Sequence, residues 1–156
     1  MNGPTITVRS PVGPLAVREV DGRIVSVSWI DADDLADGGG ATPLLLNAAQ
    51  QLDAYFYCGL RSFDLPLAPA GSAFERAVWD EMLRIPYGAT RSYGEIAGAI
   101  GGEARAVGGA CGSNPIPIII PCHRVLAADG RSGGYSGRGG TETKHFLLAL
   151  EGATLL

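Results

Sequence analysis

The residues best able to do chemistry stand side by side: Cys122, His123 and Arg124, directly after Pro121. The thiolate is the nucleophilic form of cysteine, and an imidazole and a guanidinium nearby favour it. Glu151 is a carboxylate that could orient His123, which would complete a nucleophile–base–orienter set. Two readings of Cys122 stay open at this level. It is a reactive thiol, or it is a structural cysteine of the buried kind that free cysteines commonly are. Glu151 likewise reads as an orienter or as a plain surface carboxylate. Neighbouring side chains in extended chain point opposite ways, so contact between Cys122 and His123 calls for a turn at Pro121 or a bridging water. The chain holds two histidines and no CxxC or HxxxH spacing, so no metal is expected. No GxxxxGK[ST] or helix-opening GxGxxG is present either, and no cofactor is expected.

The segments that must position these residues lie on both sides of them. Ile118, Ile119 and Ile120 are consecutive β-branched residues and predict a strand buried on both faces, stopped by Pro121. Upstream, Ser92 to Ile100 begins with a capping-box pair, Ser92 and Glu95. Gly101-Gly102 is a turn, and Ala104 to Gly112 is a second short helix, so the stretch reads as helix-turn-helix. That second helix contains Gly108, Gly109 and Gly112, and each glycine costs up to about 1 kcal/mol against alanine. Close approach of another surface is the usual compensation. Arg105 is its one long polar side chain, too little to read base edges in the major groove. Small residues would let the helix enter a minor groove ~6 Å wide, without sequence preference. A helix packed tightly inside the protein is the alternative. Downstream, Asp129 to Gly140 is a glycine-rich loop around Tyr135 and Ser136, and Thr143 to Leu150 is a final helix ending before Glu151.

The rest of the chain reads as scaffold. Residues 5–9 and 15–19 alternate as strands do, with Pro11 to Pro14 as the turn between them. Asp21-Gly22 is a second turn, leading into a strand from Ile24 to Ile30. Asp31 to Thr42 is a polar, glycine-rich loop. A helix from about Leu44 to Tyr57 follows, with Leu45, Ala48, Ala49, Leu52 and Tyr55/Phe56 as its apolar stripe. Leu60 to Ala70 is a linker with a short strand. Ser72 caps a helix from Ala73 to Leu83, whose inward face is Phe74, Val78, Trp79 and Met82.

The chain has 156 residues, 46% of them hydrophobic, and no run nears the ~18 apolar residues of a membrane span. No basic stretch followed by an apolar one opens it, and three cysteines are an odd number. Reduced thiols in the cytoplasm are therefore expected. The net charge of −4 is unevenly spread. Residues 1–83 hold five Arg against eleven acids, whereas residues 84–144 hold seven Arg and Lys against four acids. A basic segment beside an acidic one fits a polyanion partner, and equally a chance split on a solvated surface.

Taken together, these motifs resemble the O6-alkylguanine-DNA alkyltransferases, the methylated-DNA–protein-cysteine methyltransferases. The resemblance is dense over about residues 72–152. It rests on Ile85-Pro86-Tyr87-Gly88, Arg91-Ser92-Tyr93-Gly94, Arg105 to Ala110, Asn114-Pro115, Pro117, Pro121-Cys122-His123-Arg124-Val125, Gly134-Tyr135-Ser136-Gly137 and Leu147 to Gly152. The first half, with Ser10 to Leu15, resembles the family's small ribonuclease-H-like domain more loosely. The implied fold is α+β. A ribonuclease-H-like β-meander with one helix would occupy residues 1–68. A mostly helical, winged-helix-like helix-turn-helix domain carrying the cysteine would occupy residues 69–156.

By that resemblance, Cys122 would accept the alkyl group, once per chain, from O6-alkylguanine or O4-alkylthymine in DNA. His123 would deprotonate it through a water, Glu151 would orient His123, and Asn114 would hold the turn that carries the cysteine. The lesion base would be flipped out of the duplex. Tyr93 would crowd its phosphate and meet the guanine ring, and Arg105 would fill the vacated stack. The carbonyls of Cys122 and Val125 would accept from the guanine amino group, and the Ser136 amide would donate to the departing oxygen. Pro117 and Tyr135 would wall the alkyl pocket, with Gly137 beside them. Arg105, Ala106, Gly109, Ala110, Gly112 and Arg124 would contact double-stranded DNA through its minor groove. The protein would act as a monomer. Two departures stand out: the run Gly137 to Thr143 is longer than in some members, and Cys111 takes a pocket-facing position that other side chains fill elsewhere. A lesion-binding module without chemistry and a Cys-His-Glu hydrolase are the competing classes. The intact Cys122 argues against the first, and turnover on an ester or amide would identify the second.

Overall fold

The computed structural model describes residues 3–31 and 41–153. Most of the glycine-rich loop expected from Asp31 to Thr42 lies outside the described residues. The chain divides into two compact units, Met1–Ala70 and Gly71–Leu156.

In the N-terminal unit, β1 (Thr5–Val8), β2 (Leu15–Val20) and β3 (Arg23–Trp29) form an antiparallel sheet in sequence order. The Asp-Gly signal forms its turn as read: Asp21 and Gly22 both have positive φ, 51° and 77°. That is the geometry whose twist matches the flanking strands. The alternation is also as read, with Leu15, Val17, Ile24 and Val27 facing inward. α1 (Pro43–Tyr57) buries Leu45, Ala48, Leu52, Tyr55 and Phe56, while Ala49 is only half-buried. Its N-cap, Thr42, accepts from the Leu45 N–H at 3.1 Å and donates to Glu19. The short strand expected in the linker is one bridge, Leu67 against Ile24.

The C-terminal unit opens with α2 (Ala73–Leu83), held at its start by a complete Ser72–Glu75 capping box. α3 (Tyr93–Ile100) starts on the predicted Ser92–Glu95 box and ends at Gly101, whose φ of 76° is the left-handed cap that glycine provides. α4 (Ala104–Gly112) follows, so the helix-turn-helix forms where the sequence placed it. Trp79 on α2 donates its indole N–H to the Ala110 carbonyl at 2.9 Å, which pins α4 to α2. α5 (Thr141–Leu150) begins two residues before the predicted Thr143. Phe74 is half-buried, and Val78, Trp79 and Met82 are fully buried.

One pairing that periodicity could not show sets the site. β4 (Arg91–Ser92) and β5 (Val125–Leu126) lie parallel, with Arg91 opposite Val125 and Ser92 opposite Leu126. Tyr93 is thereby carried beside the chain that leaves Cys122.

The predicted strand at Ile118 to Ile120 does not form. Pro117 and Ile120 bridge each other across a tight turn, and Ile118 has φ of 74°. The burial expectation survives, since Ile116, Ile118, Ile119 and Ile120 are all within 4% of full burial. A β-branched residue in the left-handed region costs on the order of 1–3 kcal/mol and needs surroundings that over-determine it. Asn114 supplies them. Its amide donates to the Ile120 carbonyl at 2.9 Å, and its oxygen accepts from the Ile116 N–H at 3.0 Å. The Ile120 N–H also donates to the Ile116 carbonyl at 2.9 Å. Three consecutive isoleucines are thus folded into a turn by one asparagine.

Candidate active site

Cys122 is delivered by a second turn stacked on the first. The Cys122 N–H donates to the Ile120 carbonyl at 2.8 Å, across Pro121 at φ −82° and ψ 67°. This is an inverse γ-turn, and the ring of proline fixes a φ close to what it needs. Residues Cys122–Arg124 then form one 3-10 turn. The cysteine therefore lies inside the core, 5% exposed, and not at a strand end on its edge.

A cavity of about 460 Å³ opens beside it, lined by Tyr93, Gly108, Cys111, Gly112, Cys122, Gly134, Tyr135 and Ser136. That volume is in the range of small-molecule sites, about 300–1,000 Å³. Of the pocket residues nominated from sequence, Tyr93, Cys122, Tyr135 and Ser136 meet here. Cys111, placed there by resemblance, does too. Pro117, Val125 and Gly137 do not line it: Pro117 and Val125 are buried.

Behind Cys122 stands a buried polar cluster. His123 Nε2 lies 2.7 Å from Glu151 Oε2. Arg124 donates from Nε to Glu151 Oε1 at 2.8 Å and from Nη2 to Oε2 at 3.0 Å. Its Nη1 donates to the Ile85 carbonyl at 2.6 Å, and the guanidinium sits 5.9 Å from the centre of the Tyr87 ring. Tyr87 donates to the Leu150 carbonyl at 3.2 Å. Glu151 is 5% exposed and so is no surface carboxylate. A carboxylate held by a bidentate guanidinium stays ionised. It then accepts from His123, which fixes the proton on Nε2 and leaves Nδ1 as the lone-pair atom. That Nδ1 is buried, with no hydrogen-bond partner among the described residues. Burial is the main force that lowers the His123 pKa from its usual value, against the opposing pull of Glu151. The ring is neutral at physiological pH and can take a proton.

Two expectations are corrected here. Arg124 was placed at the DNA face and as a cation favouring the Cys122 thiolate. It is instead a buried strut, 7% exposed, with its donors spent on Glu151 and Ile85. Ala110 was placed on the DNA-contacting face but is buried, its carbonyl taken by Trp79. Arg105, Ala106, Gly109 and Gly112 are exposed along α4.

The cation that acts on Cys122 is Lys144, which the sequence reading left without a role. Its ammonium donates to the Val125 carbonyl at 2.6 Å, to the Gly134 carbonyl at 3.0 Å and to the Ser132 carbonyl, and lies 3.5 Å from the Tyr93 hydroxyl. One side chain thus ties β5, the loop over the cavity and Tyr93 together. It also occupies the Val125 carbonyl that resemblance assigned to the guanine amino group. A signal was present: on α5, Lys144 shares the buried stripe of Leu147 and Leu148, three and four residues on. Gly133 fits the same knot. Its φ is 65°, and a Cβ there would come within 2.8 Å of the Tyr93 hydroxyl.

The thiols respond to this setting in the direction of protonation. Burial raises the Cys122 pKa, with a hydrogen bond from Asn114 and the Lys144 charge pulling it back down. Burial, then the charge of Cys122, pushes Cys111 up to about 12. Burial likewise raises Tyr93 to about 12, so its phenol is a donor at neutral pH. A thiol kept neutral beside a neutral imidazole must lose its proton as it reacts. The cluster can perform nucleophilic attack from sulfur on a group bound in an apolar cavity.

Comparison with known proteins places this geometry. The 6-O-methylguanine DNA methyltransferase DNA binding domain matches residues 73–153, and the ribonuclease-like domain of the same family matches residues 5–69. A methylated-DNA–protein-cysteine methyltransferase of Mycolicibacterium paratuberculosis is 46% identical over 93% of this chain and 90% of its own length. One from Methanosarcina acetivorans is 53% identical over 81% of this chain and 75% of its own. Among solved structures, Mycobacterium tuberculosis OGT in complex with DNA superposes with a TM-score of 0.83 at 43% identity, covering 95% of this chain and 92% of that one.

Proposed function

We propose, for a chain that belongs to the 6-O-methylguanine DNA methyltransferase family, that Cys122 is the sulfur to which the alkyl group is moved. The protein is a methylated-DNA–protein-cysteine methyltransferase. It binds alkylated DNA and repairs it by direct reversal, passing the alkyl group from the base to its own cysteine. The observation that carries the assignment is the meeting at Cys122 of an apolar cavity and a buried His123–Glu151–Arg124 cluster.

In this reading His123 Nδ1 takes the thiol proton through an intervening water, while Glu151 stabilises the imidazolium that forms. Sulfur attacks the alkyl carbon, the S–C bond forms and the carbon–oxygen bond breaks. The electron pair goes to the guanine oxygen, which the Ser136 amide would meet, and Tyr93 donates to the ring. Asn114 holds the turn. The product is a thioether, which water has no easy route to cleave, so each chain acts once. The base must first leave the duplex. The exposed α4 face with Arg105, Ala106, Gly109 and Gly112 is the part offered to the minor groove, and Arg105 fills the gap. Binding is then sensitive to salt and indifferent to sequence. The three free cysteines agree with a cytoplasmic setting.

Intact mass before and after mixing with duplex DNA carrying O6-methylguanine tests the assignment. One methyl should be gained, and peptide mapping should place it on Cys122. A methyl on Cys58 or Cys111 would sink the assignment. Cys122→Ser should lose transfer and still bind the duplex. Release of product over many turnovers from an ester would point to a hydrolase instead.

A further inference from the structure

Residues 85–88 wrap the buried cluster that serves His123. Their path follows from their types. The Ala89 N–H donates to the Pro86 carbonyl at 3.0 Å, and Gly88 has φ of 84°. A positive φ at the third of four turn residues is the type II pattern, which glycine meets without strain. The turn presses on the carrier of Glu151, since a Cβ at Gly88 would stand 3.2 Å from the Glu151 carbonyl oxygen. Tyr87 is half-buried at its corner. The Tyr87 hydroxyl donates to the Leu150 carbonyl at 3.2 Å, and the ring centre lies 5.9 Å from the guanidinium carbon of Arg124. Hydrogen bonds to both Glu151 oxygens and to the Ile85 carbonyl fix the edges of that guanidinium. Bonds in its plane leave its faces to stacking, and the Tyr87 ring covers one of them. Glu151 Oε2 is shared between Arg124 Nη2 and His123 Nε2. A tilt of the guanidinium therefore draws the carboxylate off the imidazole.

We propose that Tyr87 is a positioning residue for alkyl transfer: its ring holds Arg124 flat and, through Arg124 and Glu151, keeps His123 aimed at the thiol of Cys122. The proposal rests on the reading of His123 as the group that takes the Cys122 proton. Tyr87 does not line the cavity and lies outside the α4 face offered to DNA. Its influence falls on the chemical step, and not on the capture of the duplex.

Single-turnover transfer from a duplex carrying O6-methylguanine, followed at rising DNA concentration, gives a saturating rate and a half-saturating concentration. Urea denaturation gives the folded fraction, so that rates are compared per folded molecule. Tyr87→Leu keeps an apolar side chain and loses the ring face. Its saturating rate should fall by at least ~10-fold, within the ~100-fold that a misplacement of about 1 Å can cost. Its half-saturating concentration should stay that of wild type. Tyr87→Phe gives up only the bond to Leu150 and should transfer at close to the wild-type rate. A folded Tyr87→Leu with the wild-type saturating rate overturns the proposal, and so does a Tyr87→Phe as slow as Tyr87→Leu. A raised half-saturating concentration with an unchanged saturating rate overturns it too, by assigning Tyr87 to DNA binding. If Tyr87→Leu does not fold, Tyr87→Met takes its place under the same expectations, because its flexible side chain fills irregular gaps. His123→Gln, run alongside, tests the underlying reading. Normal transfer in that variant refutes His123 as the base, whereas lost transfer there with an unmoved Tyr87→Leu refutes the role of Tyr87 alone.

Discussion

Among the described residues, every buried polar or charged side chain lies in the C-terminal unit: Asn114, His123, Arg124, Thr143, Lys144 and Glu151. The described residues of the N-terminal unit include none. Its core is Val8, Leu15, Val17, Ile24, Val27 and the inward stripe of α1. The two units therefore stand on different physics. An apolar core is non-directional and tolerates change in proportion to the area lost. A buried polar network must be satisfied everywhere, and one missing partner strands a charge. The comparison teaches where this protein accepts risk. It does so only where a thiol has to be buried, aimed and deprotonated.

The sharpest break is Glu151→Gln. Glutamine cannot pair as an anion with Arg124 or stabilise a charged His123. Leaving a buried guanidinium without its counter-charge costs about 3–5 kcal/mol. A domain is stable by about 5–15 kcal/mol, so the C-terminal unit should come close to unfolding at ambient temperature. Urea denaturation checks this, together with alkyl transfer under native conditions. A variant of wild-type stability with normal transfer would mean that the cluster is neither the support nor the base relay described.

The same contrast explains what could be read from sequence. Strands, caps and helices obey local rules, so the β1–β3 meander, the Ser72 cap, the Ser92–Glu95 capping box and the helix-turn-helix were legible. The fault lay in residues 116–120. Three isoleucines predict a strand, and nothing local says that the Asn114 side chain will bond both Ile116 and Ile120 and force Ile118 to positive φ. Arg124 was misplaced for a related reason. Its partners, Ile85 and Glu151, are 39 and 27 residues away. Motif adjacency put His123 beside Cys122 and the family resemblance put Glu151 with it, but neither could show that Arg124 holds Glu151 or that Lys144 supplies the nearby charge. The β4–β5 pair, two residues long, is also below what a periodicity can detect.

Arg105→Ala probes a different part of the C-terminal unit, its exposed face. Arg105 is exposed, on a helix otherwise of small residues. Extruding a base costs a few kcal/mol, and an inserted side chain recovers part of it. Transfer from duplex DNA should slow by roughly 10- to 100-fold, the equivalent of about 1.4–2.7 kcal/mol. Transfer from free O6-benzylguanine, which needs no extrusion, should change far less. Equal slowing on both substrates in a folded variant would assign Arg105 to the cavity or the scaffold.

A pH series separates the units again, more gently. Burial holds the His123 pKa below its usual 6.5, so the ring stays neutral as pH falls through 6.5. Alkyl transfer should keep its rate through that value, and decline only at lower pH. Stability behaves otherwise. Below 6.5 the unfolded chain takes up a proton that folded His123 refuses, so the folded state loses ground as pH falls from there through the folded pKa. His123→Gln should remove that loss and abolish the transfer it supports. A rate that is already halved at pH 6.5 would indicate an imidazole open to solvent.

The smallest effect belongs to the N-terminal unit. Ile24 is fully buried in β3, with its N–H donating to the Pro66 carbonyl at 2.8 Å and its carbonyl accepting from Ala68 at 2.8 Å. Ile24→Val keeps both backbone bonds and the β-branch and removes one methylene. The cost is a transfer term plus a small cavity, about 0.5–1.5 kcal/mol. No polar partner is stranded, so nothing larger is expected. The urea midpoint should fall by a corresponding amount with its slope unchanged. The transfer rate per folded molecule should match wild type, because no group that touches Cys122, His123 or the cavity has been altered. If Ile24→Val slowed transfer by more than ~3-fold while fully folded, or if it cost as much as Glu151→Gln, the division of labour between an apolar unit and a polar one would be wrong. The N-terminal core would then have to be counted among the determinants of the reaction.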